Sequence, residues 1–511
     1  MQNTRISHTA ITLANPDSSA GPQTPLRSSR ALQPLTRRSF LGGAALPLLP
    51  GIALAQSPAK VAGTLTLEPH AVVASVPENF MGLSYESAQL RSPNFFAPSN
   101  ERLLAFLKTL SPRGVLRLGG NTSEFTIWSP TVQPAGPQEA VGPDTGSRKP
   151  RPRTVISQEA VKNLAGFIKA ARWQLIYGLN LGNGTPEQAA QEAKAVFDAA
   201  GDQLIAFQIG NEPDLYHRNG LRPPDWTFED YFAQWKQFAD AVRRLSPQAR
   251  FAAPDVATNV EWITNFARRG RSEIVELSGH YYAEGPPENP AMNIDRLLHP
   301  DPKLERNIPL IQQACRMSGR PYRMAETNSC YHGGKAGVSD TFAAALWGGD
   351  YTLQLMQAGF TGINFHGGGL GYYTPIAFSP QTGFSARPLY YGMLLAREFA
   401  GTKLVRAHFN ARGINATAYA ARSKSGWKIA IFNKDSQRDI SVQVQGISLH
   451  RPARLWRLKA PQLDSKTGVT LAGAEVSRDG SWSPGQEEHL SPAGSTLTID
   501  VPAASAVLAL L

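Results

Sequence analysis

The chain reads as an α/β protein, a (β/α)8 TIM barrel with a β-sandwich domain built from the C-terminal region plus an N-terminal strand segment. Three observations predict this. Eight short apolar runs, each ending in polar residues or glycine, recur between residues 79 and 369, with amphipathic segments between them. From about residue 396 the pattern changes to alternating strands separated by turn residues. The early stretch "GTLTLEPHAVVASV" (63–76) alternates in the same way and is expected to join that later sheet.

Taken from the N-terminus, "LTRRSFLGGAALPLLPGIALAQ" places Arg37 and Arg38 before a short apolar stretch that ends in Ala53-Leu54-Ala55. This pattern is that of a twin-arginine export signal cut after Ala55, so residues 1–55 are set aside as a signal peptide region. A retained N-terminal anchor is the alternative, but the short run and small-residue ending favour cleavage. The expected destination is periplasmic or secreted, with no stable membrane insertion after cleavage. Residues 1–55 carry five Arg and one Asp, so the rest of the chain keeps +7 of the total +11. A basic surface suits an acidic partner such as a uronic-acid polymer or nucleic acid. An oxidising compartment permits disulfides, yet the 511 residues hold only Cys315 and Cys330, which can form at most one bridge.

Residues 56–78 are assigned to the N-terminal strands and 79–395 to the barrel. The barrel runs are "NFMGLSYES", "GVLRLGGNTS", "QLIYGLNLG", "LIAFQIGNEP", "RFAAPDV", "IVELSGHYYAEG", "YRMAETNS" and "GFTGINFHGGG". Helices are predicted at 157–171, 186–200, 228–245 and 340–357 from three-and-four apolar spacing. The third-repeat helix carries a Thr185 cap, Pro186 at its first position and Gly201 at its end. Strands alternating with helices imply a parallel sheet, and eight of them imply closure. An open doubly wound sheet would want an early glycine-rich phosphate turn. "GLNLGNG" and "HGGGLG" have the wrong spacing for one and read as turns. Residues 129–154 form a Pro/Gly-rich insertion with a basic cluster between 148 and 153, read as a solvated loop. Residues 396–511 complete the β-sandwich.

In such a barrel the C-terminal strand ends make the active face. They offer Glu86 from the first run, Asn121 and Thr122 from the second, and Asn211 and Glu212 from the fourth. The sixth offers His280, Tyr281 and Tyr282, the seventh Glu326, Thr327 and Asn328, and the eighth His366. Two glutamates therefore face one another across a bowl, from the fourth and seventh strands. Opposed carboxyls are what glycosidic-bond cleavage requires. One protonates the leaving oxygen, and the other attacks the anomeric carbon or activates a water. Glu212 is expected as acid/base and Glu326 as nucleophile, with Asn211 binding a neighbouring sugar hydroxyl and Tyr281 donating to Glu326. A separation near ~5 Å is expected for retention, against ~9 Å for inversion.

The motifs "GLSYES", "LRLGGNTSEF", "IGNEPDLY" and "AETNSCYHGGKAGVSDTFAAALWGGDYTLQ" together resemble glycoside hydrolase family 79, the β-glucuronidase and heparanase family. The resemblance spans nearly the whole chain beyond the leader. It implies that Glu86 and Asn121 hold hydroxyls on the far side of the terminal sugar. It further implies that Tyr331, Gly333, Gly334, Gly371 and Tyr373 bind the uronate carboxylate. Backbone N–H groups and tyrosine hydroxyls can satisfy a carboxylate without an adjacent cation. The basic residues that endo-acting members use along a heparan chain are not all matched, which favours exo action on terminal glucuronic acid.

The expected partner is therefore a uronic-acid-containing glycan. The ten histidines show no metal-ligand spacing, and no metal or organic cofactor is expected. No Gly-x-Ser-x-Gly elbow points to a serine hydrolase. The competing readings are a neutral-sugar glycosidase of the same clan, an endo-acting heparanase-like enzyme, and a polysaccharide-binding protein without turnover. A nucleic-acid partner is disfavoured because the basic charge is dispersed and lacks interleaved aromatics. Oligomeric state is left open.

Overall fold

The structure, a computed structural model, describes residues 60–131, 153–449, 451–494 and 496–511. The expected export signal and the basic cluster of the insertion up to Arg151 lie outside these residues. Eight parallel strands form one sheet: Met81–Glu86, Val115–Gly119, Gln174–Leu179, Leu204–Ile209, Ala252–Val256, Glu276–Glu284, Tyr322–Cys330 and Gly362–Gly367. The eighth strand pairs with the first, Ile363 opposite Met81 through Gly367 opposite Tyr85. Between the fourth and fifth the seam is thin. It consists of the Phe207–Phe251 bridge, with Phe207 N–H donating to the Arg250 carbonyl at 2.8 Å, and Glu212 N–H donating to the Asp255 carbonyl at 3.0 Å. Every strand is buried along most of its length, as expected of a parallel sheet covered on both faces.

A helix follows each strand and turns an apolar stripe onto the barrel. In Phe228–Leu245, Phe228, Tyr231, Trp235, Phe238 and Val242 are buried at helical spacing. Thr227 and Asp230 start this helix with a reciprocal capping box, and Thr185 with Gln188 does the same for Pro186–Ala200. Phe342–Gln357 is buried on nearly all sides, because the barrel covers one face and the C-terminal domain the other.

The β domain is built, as expected, from the C-terminal region and the N-terminal strand segment, its layers being one sheet curled on itself. Nine of its strands hydrogen-bond along one path and Glu488–Leu490 pairs beside it with Ala453–Lys459, giving a single ten-stranded sheet. The sheet curls so that Leu65, Leu67, Ile429, Ile431, Val442, Val444, Leu455, Ile499 and Val507 share one core. Continuity comes from the N-terminal strand Val61–Ser75, which pairs antiparallel with Lys403–Asn410 on one side and parallel with Ile440–Gln445 on the other. A buried cluster ties the domain to the barrel. Asp350, on the helix Phe342–Gln357, accepts from Lys434 Nζ at 2.5 Å, Thr417 Oγ1 at 2.6 Å and Tyr419 Oη at 2.7 Å. Cys315 and Cys330 are both free thiols, so no bridge contributes to this fold. Among the described residues no helix is long and apolar enough to cross a membrane.

Candidate active site

Residues at odd and even positions of a strand point to opposite faces, and this alternation decides which side chains enter the bowl. On the second strand Arg117 points inward and is fully buried, while Leu116 and Leu118 pack in the apolar core of the barrel. Its guanidinium is the hub of the site. It donates to Gln208 Oε1 at 2.9 Å, Asn211 Oδ1 at 2.8 Å, Asp255 Oδ2 at 2.6 Å and Glu326 Oε2 at 2.5 Å. A buried guanidinium survives because each direction of its fork meets an acceptor.

Glu212 and Glu326 come together as expected. Oxygens of the two carboxyls and a nitrogen of His280 all lie within 4.8 Å of one another. Glu212 adopts a left-handed backbone, φ 53° and ψ 50°, at the step from the fourth strand into a short 3-10 turn. That conformation is unfavourable for a side chain larger than Asn or Gly and persists only where neighbours hold it. Glu212 Oε1 contacts His280 Nδ1 at 3.0 Å, and His280 Nε2 contacts Asp255 Oδ1 at 3.1 Å. Glu326 Oε1 accepts from the Tyr282 hydroxyl at 2.7 Å.

The electrostatics separate the two carboxyls. Burial pushes Glu212 above the usual carboxylate range, a rise that the His280 hydrogen bond only partly offsets. Burial acts on Glu326 in the same direction, but His366, His280 and Arg117, with the Tyr282 hydroxyl, bring it down to about 2. Burial would lower His280, yet Asp255 and Glu326 hold it protonated, up to about 10. One carboxyl is thus biased toward its acid form and the other toward its anion, which is how a site obtains an acid and a nucleophile from one residue type.

Tyr281 does not donate to Glu326. Its hydroxyl points out of the bowl to the Asp301 carboxylate, and its ring packs 5.9 Å from Tyr351. The reason is parity: His280 and Tyr282 share the inward face of the sixth strand, and Tyr281 takes the outward one. Asn211 lies where expected, with its backbone N–H donating to Glu124 Oε1 at 2.5 Å. Its Nδ2 is buried with no hydrogen-bond partner, an unmet donor at the floor of the bowl.

Glu86 is buried at the end of the first strand. Its Oε2 accepts from Thr122 N–H at 2.8 Å and Thr122 Oγ1 at 2.6 Å, and its Oε1 lies 3.5 Å from His366 Nε2. Asn121 opens the 3-10 turn beside it. The expected carboxylate-binding residues gather on one wall. Rings of Tyr331 and Tyr373 lie 6.4 and 6.1 Å from that of Tyr282. Gly333 and Gly334 have φ of 88° and 86°, and a Cβ on Gly334 would fall 2.7 Å from the Tyr373 nitrogen. Tyr373 N–H contacts the Gly333 carbonyl at 3.4 Å, and Gly371 closes the adjoining turn by accepting from Thr374 N–H. Among the described residues, nothing accepts from the N–H of Gly333 or Gly334.

The family model of the Glycosyl hydrolase family 79 C-terminal beta domain matches residues 414–508. A beta-glucuronidase of Aspergillus niger is 26% identical over 475 residues, covering 80% of this chain and 83% of its own length. A heparanase of Rattus norvegicus is 23% identical, covering 65% of this chain and 69% of its own. The chain is a glycoside hydrolase similar to the proteins of family 79. A solved 4-O-α-L-rhamnosyl-β-D-glucuronidase from Fusarium oxysporum shares the fold of this chain, with a TM-score of 0.71 at 20% identity, covering 87% of this chain and all of that one.

Several residues of this glycoside hydrolase escaped sequence reasoning. Arg117 carried a signal, a lone cation inside an apolar strand, and Tyr282 carried one in its shared parity with His280. Asp255 did not stand out in "RFAAPDV", because only the fold shows it facing His280. The atoms of Glu212, His280 and Glu326 are close enough to ligate a cation. Arg117 and a protonated His280 already compensate that charge, so the site's chemistry fits paired carboxyls better than a metal.

Proposed function

We propose that the enzyme is a retaining, exo-acting β-glucuronidase that releases terminal β-linked glucuronic acid, 4-O-methylated forms included, from oligo- or polysaccharides by double displacement. The observation that carries this reading is the approach of the Glu212 and Glu326 carboxyls within 4.8 Å, close to the ~5 Å that leaves no room for an intervening water. In the first step Glu326 attacks the anomeric carbon from one face while Glu212 gives its proton to the departing oxygen. A glycosyl-enzyme ester forms and the glycosidic bond breaks. In the second step Glu212 takes a proton from water, which attacks the anomeric carbon and frees Glu326. The Asn211 amide, with its unmet donor, suits a hydroxyl beside the reacting carbon. Tyr331, Gly333, Gly334, Gly371 and Tyr373 suit the uronate carboxylate, supported by the unengaged N–H groups of the two glycines. Glu86 and Asn121 suit the far hydroxyls.

The Aspergillus niger relative, named for β-glucuronidase activity, supports glucuronic acid as the terminal sugar. The test is a panel of aryl β-glycosides with NMR of the first-formed anomer. A glucuronide is expected to outpace the matching glucoside and to give β-product first. Faster turnover of the glucoside removes the uronate assignment, and α-product removes the double displacement. Glu326→Gln is expected to abolish turnover, which a polysaccharide-binding protein would not have to lose. The heparanase relative makes endo action the second reading, checked by whether internal cleavage products appear from a polymeric substrate. Export through the twin-arginine leader is a part of the proposal that N-terminal sequencing of the secreted protein checks, with Gln56 expected as the first residue.

A further inference from the structure

We propose that Glu124 is a positioning residue that sets the aim of the Glu212 carboxyl by anchoring the backbone of the Asn211–Glu212 step. The inference rests on the reading of Glu212 as acid/base but concerns a residue outside the catalytic pair.

Glu124 lies in the 3-10 turn Asn121–Phe125 that follows the second strand, and it is almost wholly buried. Its two oxygens collect three donors from two other loops. Oε1 accepts from Asn211 N–H at 2.5 Å and the Tyr216 hydroxyl at 2.7 Å, and Oε2 accepts from Gly182 N–H at 2.5 Å. Gly182 leaves room for this approach, since a Cβ there would sit 2.8 Å from Oε2. The carboxylate thereby joins the ends of the second, third and fourth strands at one point.

That point matters because of where the fourth strand stands. Its pairing with the third strand ends with the Gly210 N–H donating to the Leu179 carbonyl at 3.1 Å, and its pairing with the fifth is limited to the thin seam, so the Asn211–Glu212 step lies past the regular ladder. Two consecutive N–H groups hold it instead. Asn211 donates to Glu124, and Glu212 donates to the Asp255 carbonyl. Between these two anchors Glu212 is kept in its left-handed conformation. A backbone released there would relax toward the common region and swing the carboxyl away from the leaving oxygen. Only a carboxylate meets the local demand. All three neighbours are donors, and an amide would turn an NH2 toward an N–H.

The experiment compares kcat/KM across β-glucuronides graded from dinitrophenyl to alkyl leaving groups, for wild type and Glu124→Gln. This parameter reports the glycosylation step, where a poor leaving group needs the proton and an activated one does not. Glu124→Gln is expected to lose about 100-fold or more on the alkyl glycoside, the low end of what a positioned general acid supplies. On the dinitrophenyl glycoside it should stay within about threefold of wild type. A loss that is uniform across the series, or no loss, overturns the proposal, because a merely structural residue does not distinguish leaving groups. Should Glu124→Gln not fold, Tyr216→Phe decides, since it removes one of the three donors. The same graded pattern at smaller amplitude supports the proposal, and a flat one overturns it. If wild type instead prefers a neutral glycoside, the uronate assignment fails, and the series run on that sugar still tests Glu124.

Discussion

Single atoms decide the chemistry in the bowl, and the Tyr281–Tyr282 pair shows how narrow the margin is. Tyr282 donates to Glu326 and Tyr281 to Asp301, although the two are adjacent in the chain. The hydroxyl at 2.7 Å favours the ionised form of Glu326, so its removal is expected to raise the Glu326 pKa from about 2. With Glu326 as the proposed nucleophile, the acid limb of activity should lie low and move to higher pH in Tyr282→Phe. A hydrogen bond to a charged group is worth roughly 1.5–3 kcal/mol, so kcat should fall about 10- to 100-fold. Tyr281→Phe should leave both unchanged. The pH dependence of kcat/KM measures this, and a limb that moves with Tyr281 instead would contradict the assignment. On the alkaline side activity should fade as Glu212 loses its proton, above the usual carboxylate range.

Among the elements, the helix Pro186–Ala200 carries an unusual burden. Glu192 is buried against the barrel, where its Oε1 accepts from the Tyr177 hydroxyl at 2.7 Å. Burial pushes its pKa up from 4.5 to about 7, and the hydrogen bond opposes this incompletely. A raised pKa means that the folded state holds the proton more tightly than the unfolded one. The associated stability is full below about pH 4.5 and is lost as pH rises through about 7. Glu192→Gln keeps the acceptor for Tyr177 and removes the charge. It should therefore be more stable than wild type at pH 8 by up to roughly 3 kcal/mol, with little difference at pH 4.5. Thermal or denaturant unfolding at the two pH values reads this directly. An equal effect at both would mean that Glu192 ionises freely in the fold.

At the scale of the whole molecule, barrel and β domain are joined by a buried ion pair as well as by apolar packing. Lys434 directly follows the strand Gly426–Asn433 of the curled sheet and Asp350 lies on a barrel helix, with Thr417 and Tyr419 donating to the other oxygen of the carboxylate. Lys434→Met leaves Asp350 buried without a countercharge and should cost about 3–5 kcal/mol in chemical denaturation. The double variant Asp350→Leu/Lys434→Met should recover much of that loss, since removing both charges also removes their desolvation. If the single and double variants are equally destabilised, the pair is not acting as a coupled unit. Neither Asp350 nor Lys434 hydrogen-bonds to Glu212 or Glu326, and the double variant should keep the leaving-group dependence of wild type.

Much of this protein is determined by local pattern. Eight apolar runs with polar tips, the capped amphipathic helices and the alternating tail each reflect a period that one segment imposes on its own backbone. The two glutamates were legible for the same reason, because each stands at the polar end of an apolar run. Tyr282 was recoverable by extending that logic, as parity with His280 aims it inward. Tertiary structure alone decided the rest. Arg117, Asp255, His280 and Glu326 come from four different strands, and their spacing depends on how the barrel closes. Glu124 gains its role only where the loops after three strands converge. The single curled sheet likewise depends on Val61–Ser75 inserting between strands more than 300 residues later in the chain. Periodicity is a property of neighbours in sequence, whereas charge compensation and pKa depend on distances that only the closed barrel creates.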